Sequence, residues 1–342
     1  MKKHTSIIDI AKELNVAVST VSSVLNGKAQ ERRIGNNTKK RILDYAAKSG
    51  YKPNQIARSL RTGKSNTIGM LVEDIANPFF AEITSLIEKK AATYNYELIY
   101  SSTENDFNKL NKLITTYKHR QVDGFIIAPC VNSESKIQEL IEDKTPFVLF
   151  DRHLPNLKTN NVLINNYNGT YEAAKHLYKQ GFSNIGFITT KLLHSNMKDR
   201  LRGYQSFMEE HTLKSSFLET NFNAGKEKEH SEIATYLLKN SQLDALIFST
   251  NYIALSGLGA IKEIQKRHPK KYGIISFDDN THFDLFNPSI TSIAQPIDKI
   301  ANEIIRILLL NMKKDNQNLQ VETRILEPKL IIRDSTKKIE LT

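Results

Sequence analysis

A chain of 342 residues with 39% apolar and 25% charged residues holds enough apolar material for two or three packed domains. Its longest apolar runs, such as Ile304–Leu310, are far too short to span a bilayer, and no signal-peptide-length apolar run follows the basic start. A single cysteine, Cys130, excludes an internal disulfide and a cysteine-based zinc site, so the expected setting is the cytoplasm, with no membrane partner. The net charge of +11 is localised: residues 1–65 hold fourteen Lys/Arg against four Asp/Glu, whereas residues 66–342 hold thirty-four against thirty-three. A local basic module suits neutralisation of a polyanion. A disordered basic tail is the plain alternative, and the regular apolar spacing described next argues against it.

Ile7, Ile10, Ala11 and Leu14 recur at helical spacing, and Asn15 interrupts the run. Val18, Val21, Val24 and Leu25 form a second stripe, with Ser19, Thr20, Ser22 and Ser23 on its outer face and Asn26-Gly27 ending it. Two short helices joined by a tight turn predict a helix-turn-helix, whose second helix enters the major groove. Hydroxyls on that helix suit contacts to base edges or phosphates. A third helix is predicted from an Asn37 cap, with Ile42, Leu43, Ala46 and Ala47 inward and Gly50 as its stop. A three-helix bundle without a DNA role is the competing reading, and the basic balance disfavours it. Asn54 can cap a short, basic helix over Gln55–Thr62 that ends at Gly63 and needs a partner surface to be stable.

The body alternates strand and helix. Strands are predicted at Ile68–Val72, Glu97–Tyr100, Gly124–Ile127 and Phe147–Phe150, separated by helices such as Phe79–Asn95 and Asn108–Arg120. A second series begins near Tyr167, with a helix over Gly169–Gln180, a strand at Ile185–Thr189 and a helix opened by Arg200. Further strands at Ala245–Ser249 and Gly273–Phe277 flank a helix over Ala254–Lys266. The predicted class is α/β: a helix-turn-helix headpiece on a body of two doubly wound lobes. Ligands bind such sheets at the carboxyl ends of strands, where Asp151, Arg152, Thr250, Asn251, Tyr252, Asp278 and Asp279 fall. Arg and Asp together suit a polyhydroxylated ligand, one donating and the other accepting. An interlobe salt bridge is the alternative for each charged residue. Asp278-Asp279 as a metal or acid/base pair is disfavoured because strand neighbours point to opposite faces. No Gly-rich dinucleotide loop, Walker lysine loop or His-Glu-x-x-His pair occurs, so no cofactor, no metal and no enzymatic activity are expected.

Asp9-Ile10-Ala11-Lys12, Val16, Ser19-Thr20-Val21-Ser22 and Val24-Leu25-Asn26-Gly27 resemble the headpiece of the lac/purine repressor (LacI/GalR) family. So do Gly50-Tyr51-Lys52-Pro53-Asn54 and Ala57-Arg58-Ser59-Leu60-Arg61-Thr62-Gly63, and the resemblance covers nearly the whole chain. It implies a periplasmic-binding-protein-like body and a DNA-binding regulator, read as a repressor. It implies that Val18, Ser19 and Ser23 read operator bases and that Leu60 wedges into the central minor groove, with Ala57 small enough for two hinge helices to meet. The expected DNA-facing set is Ser6, Val18, Ser19, Thr20, Ser22, Ser23, Asn26, Arg32, Arg33, Asn54, Ala57, Arg58, Leu60 and Arg61. For the effector, the resemblance points to Arg200, Asp278 and Asp151, and further to Phe79, Phe80, Phe222, Thr250 and Asn251. The chain departs from the family pattern at Ile8, at Ala17, which lacks a capping hydroxyl, and at Ser23, which replaces a frequent Arg. The loop Gln30–Gly35 is longer than usual.

The implied organisation is a headpiece over 1–53, a hinge over 54–65 and an effector and dimerisation body over 66–342. Lobe one covers about 66–166 and 296–323, and lobe two about 167–292 and 324–337. The implied partners are a palindromic double-stranded operator, a small-molecule effector of carbohydrate or related type, and a second copy of the chain, since no leucine heptads follow Arg333. A sugar-binding protein without a transcriptional role shares the body but leaves the basic headpiece unexplained.

Overall fold

A computed structural model describes residues 5–51, 63–191, 193–220, 225–266, 269–313 and 321–337. The chain divides into two compact units, Met1–Ser65 and Asn66–Thr342.

In the first unit, α1 (Ile7–Glu13) starts on a reciprocal cap: Ser6 Oγ accepts from the Asp9 amide while Asp9 accepts from the Ser6 amide. Asn15 turns the chain at φ 51°, a left-handed conformation that Asn tolerates. α2 (Val18–Leu25) then begins at Ala17 without a side-chain cap. α3 (Asn36–Lys48) starts two residues earlier than expected, at a Gly35 cap, so Asn37 lies inside the helix and caps nothing. Ile10, Ala11, Val21, Val24, Ala29, Ile42 and Ala46 form the core, with Tyr45 and Tyr51 packed against it. Two expected core positions of α3 face outward instead: Leu43 and Ala47 are exposed, because the stripe runs through Ile42, Tyr45 and Ala46; Val18, at the start of α2, is exposed as well. The long loop after α2 is tied down at both ends. Ala29 is buried, Ile34 packs on the core, and the Ile34 amide donates to Ala29 O at 2.8 Å. The expected hinge helix, Gln55–Thr62, lies outside the described residues.

The second unit holds two six-stranded sheets with the same winding. Lobe one runs β1 (Thr67–Val72), α4 (Pro78–Thr93), β2 (Glu97–Ser102), α5 (Phe107–His119), β3 (Gly124–Ile127), α6 (Glu134–Glu142), β4 (Phe147–Phe150) and β5 (Asn161–Ile164). Lobe two runs α7 (Asn166–Lys179), β6 (Ile185–Thr190), α8 (Ser195–Glu210), β7 (Ser216–Thr220), α9 (Lys226–Lys239), β8 (Ala245–Phe248), α10 (Asn251–Gln265), β9 (Gly273–Phe277) and β10 (Thr291–Ala294). The chain then returns through α11 (Ile297–Asn311) to β11 (Thr323–Leu326) and ends in β12 (Lys329–Ile331). The sheet orders are β11-β5-β4-β3-β1-β2 and β12-β10-β9-β8-β6-β7. Every pairing is parallel except β10 with β12. The expected assignment of residues 324–337 to lobe two therefore needs correction: β11 pairs with β5 in lobe one, Arg324 opposite Val162. The chain passes between lobes at residue 165, at 295–296 and at 327–328.

The central strands are apolar on both sides because helices cover both faces; β3, β4, β8 and β9 are buried along their whole length. α8 begins at Ser195, so Arg200 lies in its second turn and does not open the helix. This helix packs closely on α7: a Cβ on Gly203 would stand 2.1 Å from Tyr167 O. Only glycine permits that approach, which presses Arg200 toward the start of α7.

Candidate functional site

In the first unit, the outer face of α2 carries no charge. Val18, Ser19 and Asn26 are exposed, and Thr20, Ser22 and Ser23 are half-buried. Two of the polar side chains turn back onto the helix: Ser23 Oγ donates to Ser19 O at 2.8 Å, and Asn26 Nδ2 donates to Ser22 O at 2.6 Å. Their remaining lone pairs and the Ser19 hydroxyl stay on the surface. Asn26 keeps an ordinary φ of −95°, and Gly27 alone takes the left-handed turn at φ 74°. The positive charge sits off this helix, on exposed Lys12, Lys28, Arg32, Arg33, Lys39, Lys40 and Arg41. Arg33 takes φ 52° in the pinned loop. The Ser6 hydroxyl is engaged in the cap of α1, donating to Asp9 at 2.7 Å. Asn54, Ala57, Arg58, Leu60 and Arg61 lie outside the described residues.

In the second unit, the two lobes place an aspartate at equivalent strand ends. Asp151 follows β4 and Asp278 follows β9, at φ 66° and 64°. Their amides donate to Val162 O and Ile293 O on the adjacent strands β5 and β10. Arg200 stands by Asp278 with Nη1 3.7 Å from Oδ2. Its Nη1 also donates to Ser249 O at 2.6 Å and its Nε to Asn166 Oδ1 at 2.8 Å, while the guanidinium lies 3.5 Å over the Phe277 ring. Gln295 Nε2 donates to Asp278 Oδ1 at 2.6 Å.

Asp151 accepts from Arg152 Nε at 3.1 Å and from Asn196 Nδ2 of lobe two at 3.2 Å. Arg152 in turn pairs with buried Glu73, donates to Asn105 Oδ1 at 2.5 Å and lies 3.2 Å from His194 Nε2. The His153 amide donates to Ser195 Oγ. Residues 151–153 of lobe one are thus joined to residues 194–196 of lobe two. Burial pushes the Asp151 carboxyl up to about 7, partly offset by Arg200. Burial lowers Arg152 to about 10, and burial beside Arg152 and Lys198 lowers His194 to about 3. His194 is therefore neutral and accepts from Arg152.

Thr250 caps α10, accepting from the Ile253 amide at 3.4 Å. Asn251 is 1% exposed, and neither its Nδ2 nor its Oδ1 meets a hydrogen-bond partner in the protein. The same holds for Ser249 Oγ and Gln295 Oε1. Unpaired buried polar atoms are costly; here Ser249 and Gln295 stand against Arg200 and Asp278, and Asn251 opens α10 two residues after Ser249. Phe79 and Phe80 begin α4, their rings 5.0 Å apart; Phe80 packs edge-to-face on Phe150 and belongs to the lobe-one core. Phe222 lies outside the described residues. Asp279 faces away, onto Arg333 at 2.9 Å, so the two aspartates do not act as a pair. No cluster of three metal-binding side chains occurs among the described residues. Nor is any described helix long and apolar enough to cross a membrane.

Sequence reasoning missed Glu73, Asn105, Asn166, His194, Asn196, Ser249 and Gln295. The strand-end rule would have found Glu73, Ser249 and Gln295, which directly follow β1, β8 and β10. Placing the start of α8 at Arg200 hid His194 and Asn196.

Residues 6–54 match the family described as bacterial regulatory proteins, lacI family, and residues 174–336 match a periplasmic binding protein-like domain. The chain is 32% identical over 337 residues to the HTH-type transcriptional regulator RegA of Clostridium saccharobutylicum, covering 97% of this chain and 99% of that protein. It is 30% identical to the ribose operon repressor of Haemophilus influenzae, covering 96% and 97%. Among solved structures, the lac repressor dimer bound to operator and an anti-inducer superposes with a TM-score of 0.84 at 19% identity, over 98% of this chain and 99% of that one. A periplasmic binding protein/LacI regulator from Alkaliphilus metalliredigens complexed with D-xylulofuranose superposes with 0.68 at 27% identity, over 79% and 98%. With both family matches and relatives 32% and 30% identical over nearly their whole length, the chain belongs to the lacI family of bacterial regulatory proteins and is a DNA-binding transcription regulator.

Proposed function

We propose that the protein is a repressor that binds a palindromic operator as a homodimer and changes its operator affinity when a sugar or related metabolite enters the site between its lobes. The observation that carries this reading is the convergence of Asp151, Arg200 and Asp278, with the unpartnered amide of Asn251, where two doubly wound sheets meet. Each subunit places Ser19 to Ser23 in one half-site, while the flanking lysines and arginines hold the phosphates. Leu60 wedges the central minor groove as the two hinges meet. Sugar names in relatives, ribose and D-xylulofuranose among them, favour a monosaccharide. The effector acts only through a difference in affinity for the two lobe arrangements, so its contacts to residues 151–153 and 194–196 are the ones that couple.

Fluorescence anisotropy with duplexes from the protein's own genomic neighbourhood tests this. One duplex binds at least about 1000-fold tighter than a scrambled one, and one monosaccharide shifts that affinity about 5-fold or more. Binding that is equal on both duplexes, or indifferent to every sugar, refutes it.

A further inference from the structure

The buried charged groups in the effector site are already engaged with one another. Arg200 is engaged by Asp278, by Asn166, by Ser249 O and by the Phe277 ring. Arg152 is engaged by Glu73, Asp151 and Asn105. Two arginines therefore face three carboxylates, all of them buried. His194, also here, is held neutral by burial and by the neighbouring charges of Arg152 and Lys198. The described cations on either side of His194 in sequence, Lys191 and Lys198, are exposed and lie outside this buried set.

The polar atoms left without a protein partner on Ser249 and Gln295, which touch Arg200 and Asp278, and on Asn251, nearby in sequence, are of the opposite kind. Asn251 Nδ2 can donate, Asn251 Oδ1 and Gln295 Oε1 can accept, and Ser249 Oγ can do both. All four are uncharged. A hydroxyl group both donates and accepts, which is what this set offers. A phosphate monoester brings about −1.5 to −2 charges and three acceptor oxygens, and it would meet buried carboxylates and, among the described residues, no buried cation without a protein partner.

We infer that the effector is a free, uncharged sugar, and that Asp278 makes the site reject phosphorylated or carboxylated sugars by holding Arg200. This rests on the effector-site reading above. Asp278 does so because it stands within 3.7 Å of the guanidinium and is itself held by Gln295 at 2.6 Å. An anion must displace that carboxylate or remain buried beside it, and a buried like-charge contact is strongly unfavourable.

Calorimetry on the full-length protein decides the matter. The probes are D-ribose, D-xylose, D-xylulose and D-glucose, each against its 5- or 6-phosphate, and D-ribonate. In the parent, at least one free sugar binds, and its phosphorylated form binds at least about 100-fold more weakly. Arg200→Ala abolishes the binding. Asp278→Asn narrows the gap at least about tenfold, by weakening the free sugar and strengthening the anion. A phosphorylated sugar or ribonate that binds as tightly as the free sugar, with Arg200→Ala abolishing both, overturns the charge argument and leaves the effector site standing. Binding that survives Arg200→Ala, or a panel in which nothing binds, overturns the effector-site reading as well. The parent's own ratio decides if Asp278→Asn does not fold.

Discussion

The two lobes repeat one winding and even one backbone detail, an aspartate at left-handed φ after the fourth strand of each series, yet they surround it differently. In lobe one, Asp151 shares an arginine that is locked to Glu73 and Asn105 of the same lobe. In lobe two, Asp278 faces an arginine whose other bonds go to a backbone carbonyl and a helix-start asparagine, beside atoms that have no partner. Lobe one's cluster is thus closed and lobe two's is open. The lesson is that a repeated scaffold fixes where a side chain emerges, and the neighbouring strand ends decide whether it stabilises the fold or waits for a ligand.

Arginine deletions break that comparison most forcefully. Arg152→Leu leaves Glu73 and Asp151 buried without their cation and costs about 3–5 kcal/mol in urea unfolding. Arg200→Leu costs less, because Asp278 keeps its bond from Gln295. For effector affinity the order reverses, with Arg200→Leu abolishing binding. Equal stability losses for the two variants would show that lobe one's cluster is no more closed than lobe two's.

The next test uses pH. Asp151 titrates near 7 in the fold, above the ordinary 3.8, so the native state holds its proton more tightly. Its contribution therefore favours the fold at low pH and is lost as pH rises from about 4 to 7. His194, held at about 3 against an ordinary 6.5, contributes above 6.5, and that contribution is lost as pH falls. Between pH 4.5 and 6.5 the two slopes oppose. Asp151→Asn removes one of them, so its stability relative to the parent rises by about 2–3 kcal/mol across that window. His194→Gln removes the other, so its relative stability falls as pH rises. Unfolding midpoints of parent and variants at several pH values measure both. A flat difference for Asp151→Asn would mean that this carboxyl keeps its ordinary affinity for protons.

What the sequence allowed to be read follows the same division between self-evident and context-dependent positions. β1, β3, β4, β6, β8 and β9 are continuous apolar runs, legible because burial on both faces leaves no polar alternation. β5, β7 and β10 were not legible: Asn161–Ile164 is short and preceded by Thr-Asn, and Ser216–Thr220 and Thr291–Ala294 begin with hydroxyl residues. Asp151 and Asp278 could be found as strand-end residues and Arg200 through the family resemblance. Arg152 could be found as a candidate, but not its role, because Glu73 lies 79 residues away in sequence. In the headpiece the stripe on α3 was misassigned at Leu43 and Ala47, since periodicity does not say which of two adjacent stripes faces a neighbour.

The smallest effect lies where the lobes differ at their last strands, β11 parallel in lobe one and β12 antiparallel in lobe two. Between them Glu327 accepts from Asn165 Nδ2 at 2.8 Å and from Asn168 Nδ2 at 3.0 Å, tying the last crossing between lobes to the first. Glu327→Gln keeps one acceptor oxygen and turns an amide donor toward donors already there. Because the position is exposed, global stability falls by only about 0.5–1 kcal/mol. The same energy acts on the far smaller difference between lobe arrangements, so effector affinity shifts by about 2–5-fold. Calorimetry beside thermal unfolding separates the two readouts. Unchanged affinity with lowered stability would mean that the crossing only tethers the lobes. A shift in affinity larger than the loss of stability can explain would make this carboxylate part of the coupling between effector and lobe arrangement.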